Sequence, residues 1–355
     1  MPAWAWGVPV VALAVLGTAL AAPQGMPIAV PCAAALIGAV IAAVHHAEVV
    51  AHRVGEPFGT LVLAVAVTVI EASLILSVML ASGAAAAALP RDTIYAAIMI
   101  ICNGVVGICL LVGGIHHREQ SFRVEGAGPA LAALVAMATL SLVLPSFTTT
   151  TAAGTYSPSQ LAFAAVASAS LWAVFVFVQT VRHRDYFLPV ADPSNEAVHA
   201  QPPSNAQAWA SFGLLLVSLV AVVGLAKALS PTIERGIAAA GAPKAVIGIA
   251  IAMLVLLPET WAAVRAARAD RLQTSMNLAI GSALASIGLT IPVVAAASVL
   301  LGVPLTLGLG EKDLVMLLLT FVVGAITLGT GRTSMMQGAV HLVIFAAFLF
   351  LSLVP

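Results

Sequence analysis

The sequence predicts an all-α polytopic membrane protein of about eleven transmembrane helices: one N-terminal helix, then two inverted five-helix α-repeats. Three observations carry this. The chain is 61% hydrophobic and only 8% charged, where a soluble domain carries roughly 25% charged residues. Its apolar residues come in runs of about 20, the length an α-helix needs to cross the hydrocarbon core. A single long polar segment, RHRDYFLPVADPSNEAVHAQPPSN, parts these runs into two sets, and its Pro, Asn and charge read as a solvated linker.

The runs fall at 7–22, 27–44, 58–81, 93–115, 128–145, 160–181, 209–229, 243–265, 274–301, 312–329 and 336–354. The first, in MPAWAWGVPVVALAVLGTALAAPQG, lacks the basic region of a signal peptide and is read as a membrane helix. The first, second and tenth are short, so one of them is a candidate for a tilted, broken or re-entrant segment. With the first set aside, five runs lie on each side of the linker. Two copies of an odd-numbered unit in one chain must enter the membrane in opposite orientations, the inverted-repeat plan of many secondary transporters. The expected divisions are 1–22 for the N-terminal helix, 23–181 for the first repeat, 182–208 for the linker and 209–355 for the second repeat.

Loop charge predicts the orientation. Loops on the N-terminal side carry Arg53, Arg118, Arg123, Arg182, Arg184, Arg265, Arg268, Arg271 and Arg332; the opposite loops carry Arg91, Lys227, Arg235, Lys244 and Lys312. The excess places the N-terminus and the linker in the cytoplasm. Net charge is zero, which gives no reason to expect a nucleic-acid partner; the lipid bilayer is the expected surround. Cys32, Cys102 and Cys109 lie in apolar runs without metal-ligand spacing and read as packing residues.

Two glutamates interrupt the apolar runs: Glu71 in FGTLVLAVAVTVIEASLILSVML and Glu259 in AVIGIAIAMLVLLPETWAAV. A carboxylate at bilayer depth costs on the order of 2.5–3.5 kcal/mol, so it is expected to bind a cation or carry a proton. Each such run is followed by one with small and polar residues near its middle. Asn103 is the candidate in CNGVVGICLLVGG; Ser282 and Ser286, four apart on one helix face, are the candidates in NLAIGSALASIGLTIPV. Their oxygens suit a hard cation. The nearby glycines, and Pro258 directly before Glu259, would loosen helical hydrogen bonding and free backbone carbonyls. If both glutamates face one cavity, their charges repel, and either a divalent cation or two protons neutralise them. Such a site crosses the membrane only when loaded, which is obligate antiport.

HAEVVAHRVGEPFGTLVLAVAVTVIEASLIL with IYAAIMIICNGVVGICLLVGG resembles the first α-repeat of the calcium/cation antiporters. AVIGIAIAMLVLLPETWAAVRAARADRLQTSMNLAIGSALASIGLTIPV resembles the second. The resemblance is strongest to the ChaA-type calcium/proton antiporters of bacteria, in the calcium/proton exchanger branch. It implies Ca²⁺ export against protons across the bacterial inner membrane; no resident cofactor is expected, and Na⁺ or K⁺ is the alternative cargo because the family's signature is altered here. It implies that Glu71 and Glu259 bind the metal ion and the protons, with Asn103 and Ser282 or Ser286 as polar partners. The family's Gly-Asn-Ala-x-Glu signature is not kept: Thr68 and Leu256 stand where its asparagines would be, which leaves one side-chain oxygen of two.

Just before the third run, Glu48, His52 and Glu56 are candidates for a cytoplasmic gate, with Glu48 and His52 spaced to pair on a helix. His45, His46, His52, His116 and His117 are candidates for proton sensing, a role open to histidine as a residue type, or are polar residues at the interface. His341 reads as a satisfied packing residue. The rival class, a histidine-rich membrane metalloenzyme such as a di-iron desaturase, needs HxxHH or HxxxH elements; neither occurs, nor do HExxH and GxSxG, so no enzyme is expected. The tryptophans fall mostly near span ends, as interface anchors do.

Overall fold

The computed structural model describes residues 2–21, 26–55, 58–187, 203–241, 243 and 245–354. In the first half lie α1 (Ala3–Ala21), α2 (Met26–Val54), α3 (Phe58–Ser82), α4 (Leu89–Met99), α5 (Val106–His117), β1 (Glu119–Ser121), α6 (Val124–Ala138) and α7 (Pro158–Phe177). The second half contributes α8 (Asn205–Ala240), α9 (Ala245–Arg268), α10 (Leu272–Leu301), α11 (Glu311–Gly329), β2 (Arg332–Ser334) and α12 (Met335–Leu353). α4 and α5 form one span through a π-helical turn, Ile100–Val105. Among the described residues, eleven spans are long and apolar enough to cross a membrane, the number expected from the sequence. Glu56, His199 and Lys244 lie outside the described residues.

The helices pack into two compact units, and each unit draws on both sides of the linker. The first comprises 1–89 and 194–247. Here α2 lies between α1, α3 and α8. A buried histidine ties them: His46 Nε2 meets the Ala5 carbonyl oxygen at 2.8 Å, and Nδ1 meets Ser211 Oγ at 3.2 Å. His46 is therefore an interior tie between three helices rather than an interfacial residue. Its neighbour His45 sets its ring 4.8 Å from that of Trp4.

α2 is longer than its hydropathy. No helix breaker follows His46 until Gly55, whose φ of 78° only glycine adopts cheaply. Glu48 and His52 thus sit exposed on the last turns of α2 itself. The 36-residue α8 likewise continues past its apolar run. None of the three short runs is broken: α1, α2 and α11 are each continuous.

The second unit comprises 90–193 and 248–355. α5 packs on α12, α10 on α6 and α7, and α11 on α6. α7 starts with a capping box: Ser157 Oγ accepts from Gln160 N, Gln160 Oε1 accepts from Ser157 N, and Pro158 takes the first turn. Trp172 is not an interface anchor; it lies over Gly288 of α10, where a Cβ would come within 2.5 Å of its own Cβ.

The two ends of this unit differ. At one, β1 pairs with β2 in antiparallel register, Glu119 opposite Ser334. Gln120 Nε2 donates to the Ala267 carbonyl and to Asp270 Oδ1, and Gln273 Oε1 accepts from Arg123 N. The turns carrying Arg118, Arg123, Arg268, Arg271 and Arg332 are thereby gathered together. At the other end, Gly154 O accepts from Leu307 N and Gly308 N, Ser146 Oγ donates to Leu309 O, and Arg91 Nη1 donates to Gly308 O.

Candidate ion-binding site

In the first unit, α3 carries Glu71 and Thr68, three residues apart and hence on one side of the helix. Both are 4% exposed. Thr68 Oγ1 donates to the Ala64 carbonyl at 2.8 Å, so its lone pairs, not its hydrogen, remain available to a cation. α2 and α8 flank α3, and the burial of Glu71 makes its protonation or ligation state matter energetically.

In the second unit, α9 carries Glu259, which is half-buried. The helix runs unbroken through Pro258, which lacks the N–H that would serve the Leu254 carbonyl. Two residues on, Thr260 Oγ1 donates to the Leu256 carbonyl at 2.7 Å. On α10, Ser286 is buried and Ser282 half-buried; the same face continues to Thr290, buried with no hydrogen-bond partner for its hydroxyl among the described residues. The i, i+4 spacing that pointed to the two serines extends to Thr290, which the sequence reading did not single out.

Among the places where helix loosening was expected, the structure departs from the regular α-helix around Asn103. The Asn103 region forms the π-helical turn Ile100–Val105, an irregularity that recurs at functional sites. α10 remains a regular helix through Gly281 and Gly288.

Asn103 is fully buried and its amide is committed on both sides. Nδ2 donates to Thr320 Oγ1 of α11 at 2.9 Å. Oδ1 lies 3.2 Å from His341 Nδ1 of α12, and His341 Nε2 lies 3.0 Å from Thr327 Oγ1. His341 is thus satisfied, as expected, but as part of a polar chain that includes a candidate ligand. Thr320 and Thr327 were not singled out by sequence, because isolated threonines in apolar helices carry no pattern.

Glu48 and His52 are exposed on α2. His116 Nδ1 meets the Val112 carbonyl, and His117 Nε2 meets that of Arg268.

Comparison with known proteins fits these features. The family of the sodium/calcium exchanger protein matches residues 28–181 and 210–354. The chain belongs to this family. The two matched stretches leave out the first helix and the linker. The y4hA protein of Sinorhizobium fredii is 48% identical over 100% of this chain and 97% of its own length. The sodium-potassium/proton antiporter ChaA of Escherichia coli is 35% identical over 96% of this chain and 93% of its own. The crystal structure of the H⁺/Ca²⁺ exchanger CAX superposes with a TM-score of 0.73, covering 98% of this chain and 87% of that one at 14% identity. At that identity the superposition establishes the exchanger fold alone.

Proposed function

We propose that this exchanger is a proton-coupled cation antiporter that exports Ca²⁺ by alternating access, with Glu71 and Glu259 each binding either cation or proton. The observation that carries it is a carboxylate 4% exposed on a membrane helix of an exchanger-family chain. Two carboxylates supply the two negative charges that a divalent cation neutralises, and two protons do the same. Each load excludes the other, so one ion leaves as the other arrives. Thr68, Asn103 and Ser286, with Ser282 beside it, add neutral oxygens, which hard cations favour. The cation is cargo rather than a resident cofactor.

A second reading is Na⁺ or K⁺ export against protons on the same scaffold. The name of the 35% identical relative favours it, as does Thr68 with Leu256, a pair that offers one side-chain oxygen. The relatives are bacterial, and the reading places the chain in the inner membrane. The arginine-rich turns gathered at one end of the second unit support a cytoplasmic location for that end, hence for the N-terminus and linker. Glu48 and His52, exposed near Arg53, then lie where cytoplasmic ions enter.

The test is proton movement in vesicles containing the purified protein, with one cation added at a time. Ca²⁺ is expected to release protons from the lumen of acid-loaded vesicles. A response to Na⁺ or K⁺ without one to Ca²⁺ would establish the second reading. Cation flux with no proton movement would mean a channel and overturn both.

A further inference from the structure

The atom placement gives the hydrogen-bond chain through Asn103 a consistent direction. Thr320 has a single hydroxyl hydrogen, for which the Met316 carbonyl at 2.8 Å and Met99 Sδ at 3.4 Å are the acceptors. Thr320 Oγ1 must therefore accept from Asn103, which fixes the amide nitrogen on the α11 side and Oδ1 on the α12 side. An amide oxygen cannot donate, so the bond to His341 requires a hydrogen on Nδ1. In the neutral ring Nε2 is then an acceptor, and Thr327 supplies the hydrogen.

A histidine 1% exposed inside a membrane helix is costly, and a packing role alone would suit an apolar residue better. Oδ1 of Asn103 has two lone pairs. The imidazole occupies one of them and leaves the other for a ligand.

We propose that His341 is a positioning residue for cation binding: through Asn103, it holds an amide oxygen in place as a ligand. The inference rests on the reading of Asn103 as a ligand given above. Without the Nδ1 hydrogen, Oδ1 loses its partner on α12 and the amide is held only through its Nδ2 side. With it, the oxygen is presented at no further cost when the ion arrives. Close approach of the two helices makes the contact possible. A Cβ at Gly107 of α5 would lie 3.1 Å from His341 Cβ and 3.0 Å from Leu342 Cγ.

The test is cation-concentration and pH dependence of exchange in reconstituted full-length variants. His341→Leu is expected to raise KM for the cation about tenfold, the effect of one buried hydrogen bond, with turnover and pH profile kept. His341→Asn offers an amide N–H in place of Nδ1 and is expected to restore KM. Asn103→Ala is expected to raise KM, and His341→Leu to add nothing further in that background. If Asn103→Ala raises KM while His341→Leu does not, the positioning role is wrong and the ligand reading stands. If Asn103→Ala leaves KM unchanged, the ligand reading itself fails. Restoration failing in His341→Asn, or a shifted pH profile, would mean that the ring itself acts, and would overturn the proposal. If His341→Leu does not fold, His341→Asn decides alone: wild-type KM supports the role, and a tenfold rise overturns it.

Discussion

Glu71→Gln and Glu259→Gln are each expected to reduce proton-coupled cation exchange to the level of empty vesicles. Glutamine keeps the shape and one ligand oxygen of glutamate but can neither carry the charge nor release the proton. On the proposed mechanism the cation then meets one negative charge fewer. Proton coupling is lost by the same change. Glu71→Asp and Glu259→Asp keep the charge and shorten the reach, so each is expected to retain slow exchange with a raised KM. Wild-type protein should also show an apparent KM for the cation that rises as pH falls, because protons compete for the same oxygens. Full exchange in either glutamine variant would remove that glutamate from the mechanism.

The second large effect is expected at Gly338. A Cβ there would come within 2.3 Å of Leu111 N, 2.8 Å of Leu111 Cα and 2.8 Å of Gly107 O. All three are backbone atoms of α5, which no rotamer change can move aside. Small residues at such crossings let membrane helices approach closely, and the packing they permit replaces the hydrophobic effect that lipid does not supply. Gly338→Ala must push α12 from α5 and is expected to cost about 1–3 kcal/mol. Gly281→Ala, at a helical position with nothing within 4 Å, is the control and should be neutral or stabilising. Thermal melting of the two variants in detergent gives the comparison; a wild-type melting temperature for Gly338→Ala would show that the helices are not held at this spacing.

The spans were legible because bilayer thickness imposes a length that composition alone reveals. Glu71 was legible for a related reason: a carboxylate in such a run stands out without any knowledge of its neighbours. Helix ends were less so. The sequence reading stopped α2 at two histidines, and the structure buries one of them among three helices. The partners of Asn103 were not legible at all, since Thr320 and His341 lie 217 and 238 residues away and reach it only through tertiary packing. The β1–β2 pair, three residues on each strand, is too short for alternation to register. The composition of the units was also hidden: the linker divides the sequence, while packing joins α8 to α1, α2 and α3.

The π-helical turn at Ile100–Val105 has a consequence for insertions and deletions. A π turn holds one residue more than an α turn, and each helical residue advances the chain by roughly 100°. The extra residue offsets the face of α4, where Met99 meets Thr320 of α11, from that of α5, whose Gly107 and Gly114 meet α12. Deleting one residue here would leave a straighter helix with the same composition, yet it could match α11 or α12 but not both. A deletion scan across Ile100–Val105 should therefore be harsher than any single substitution within it, because it breaks a phase relation rather than a contact.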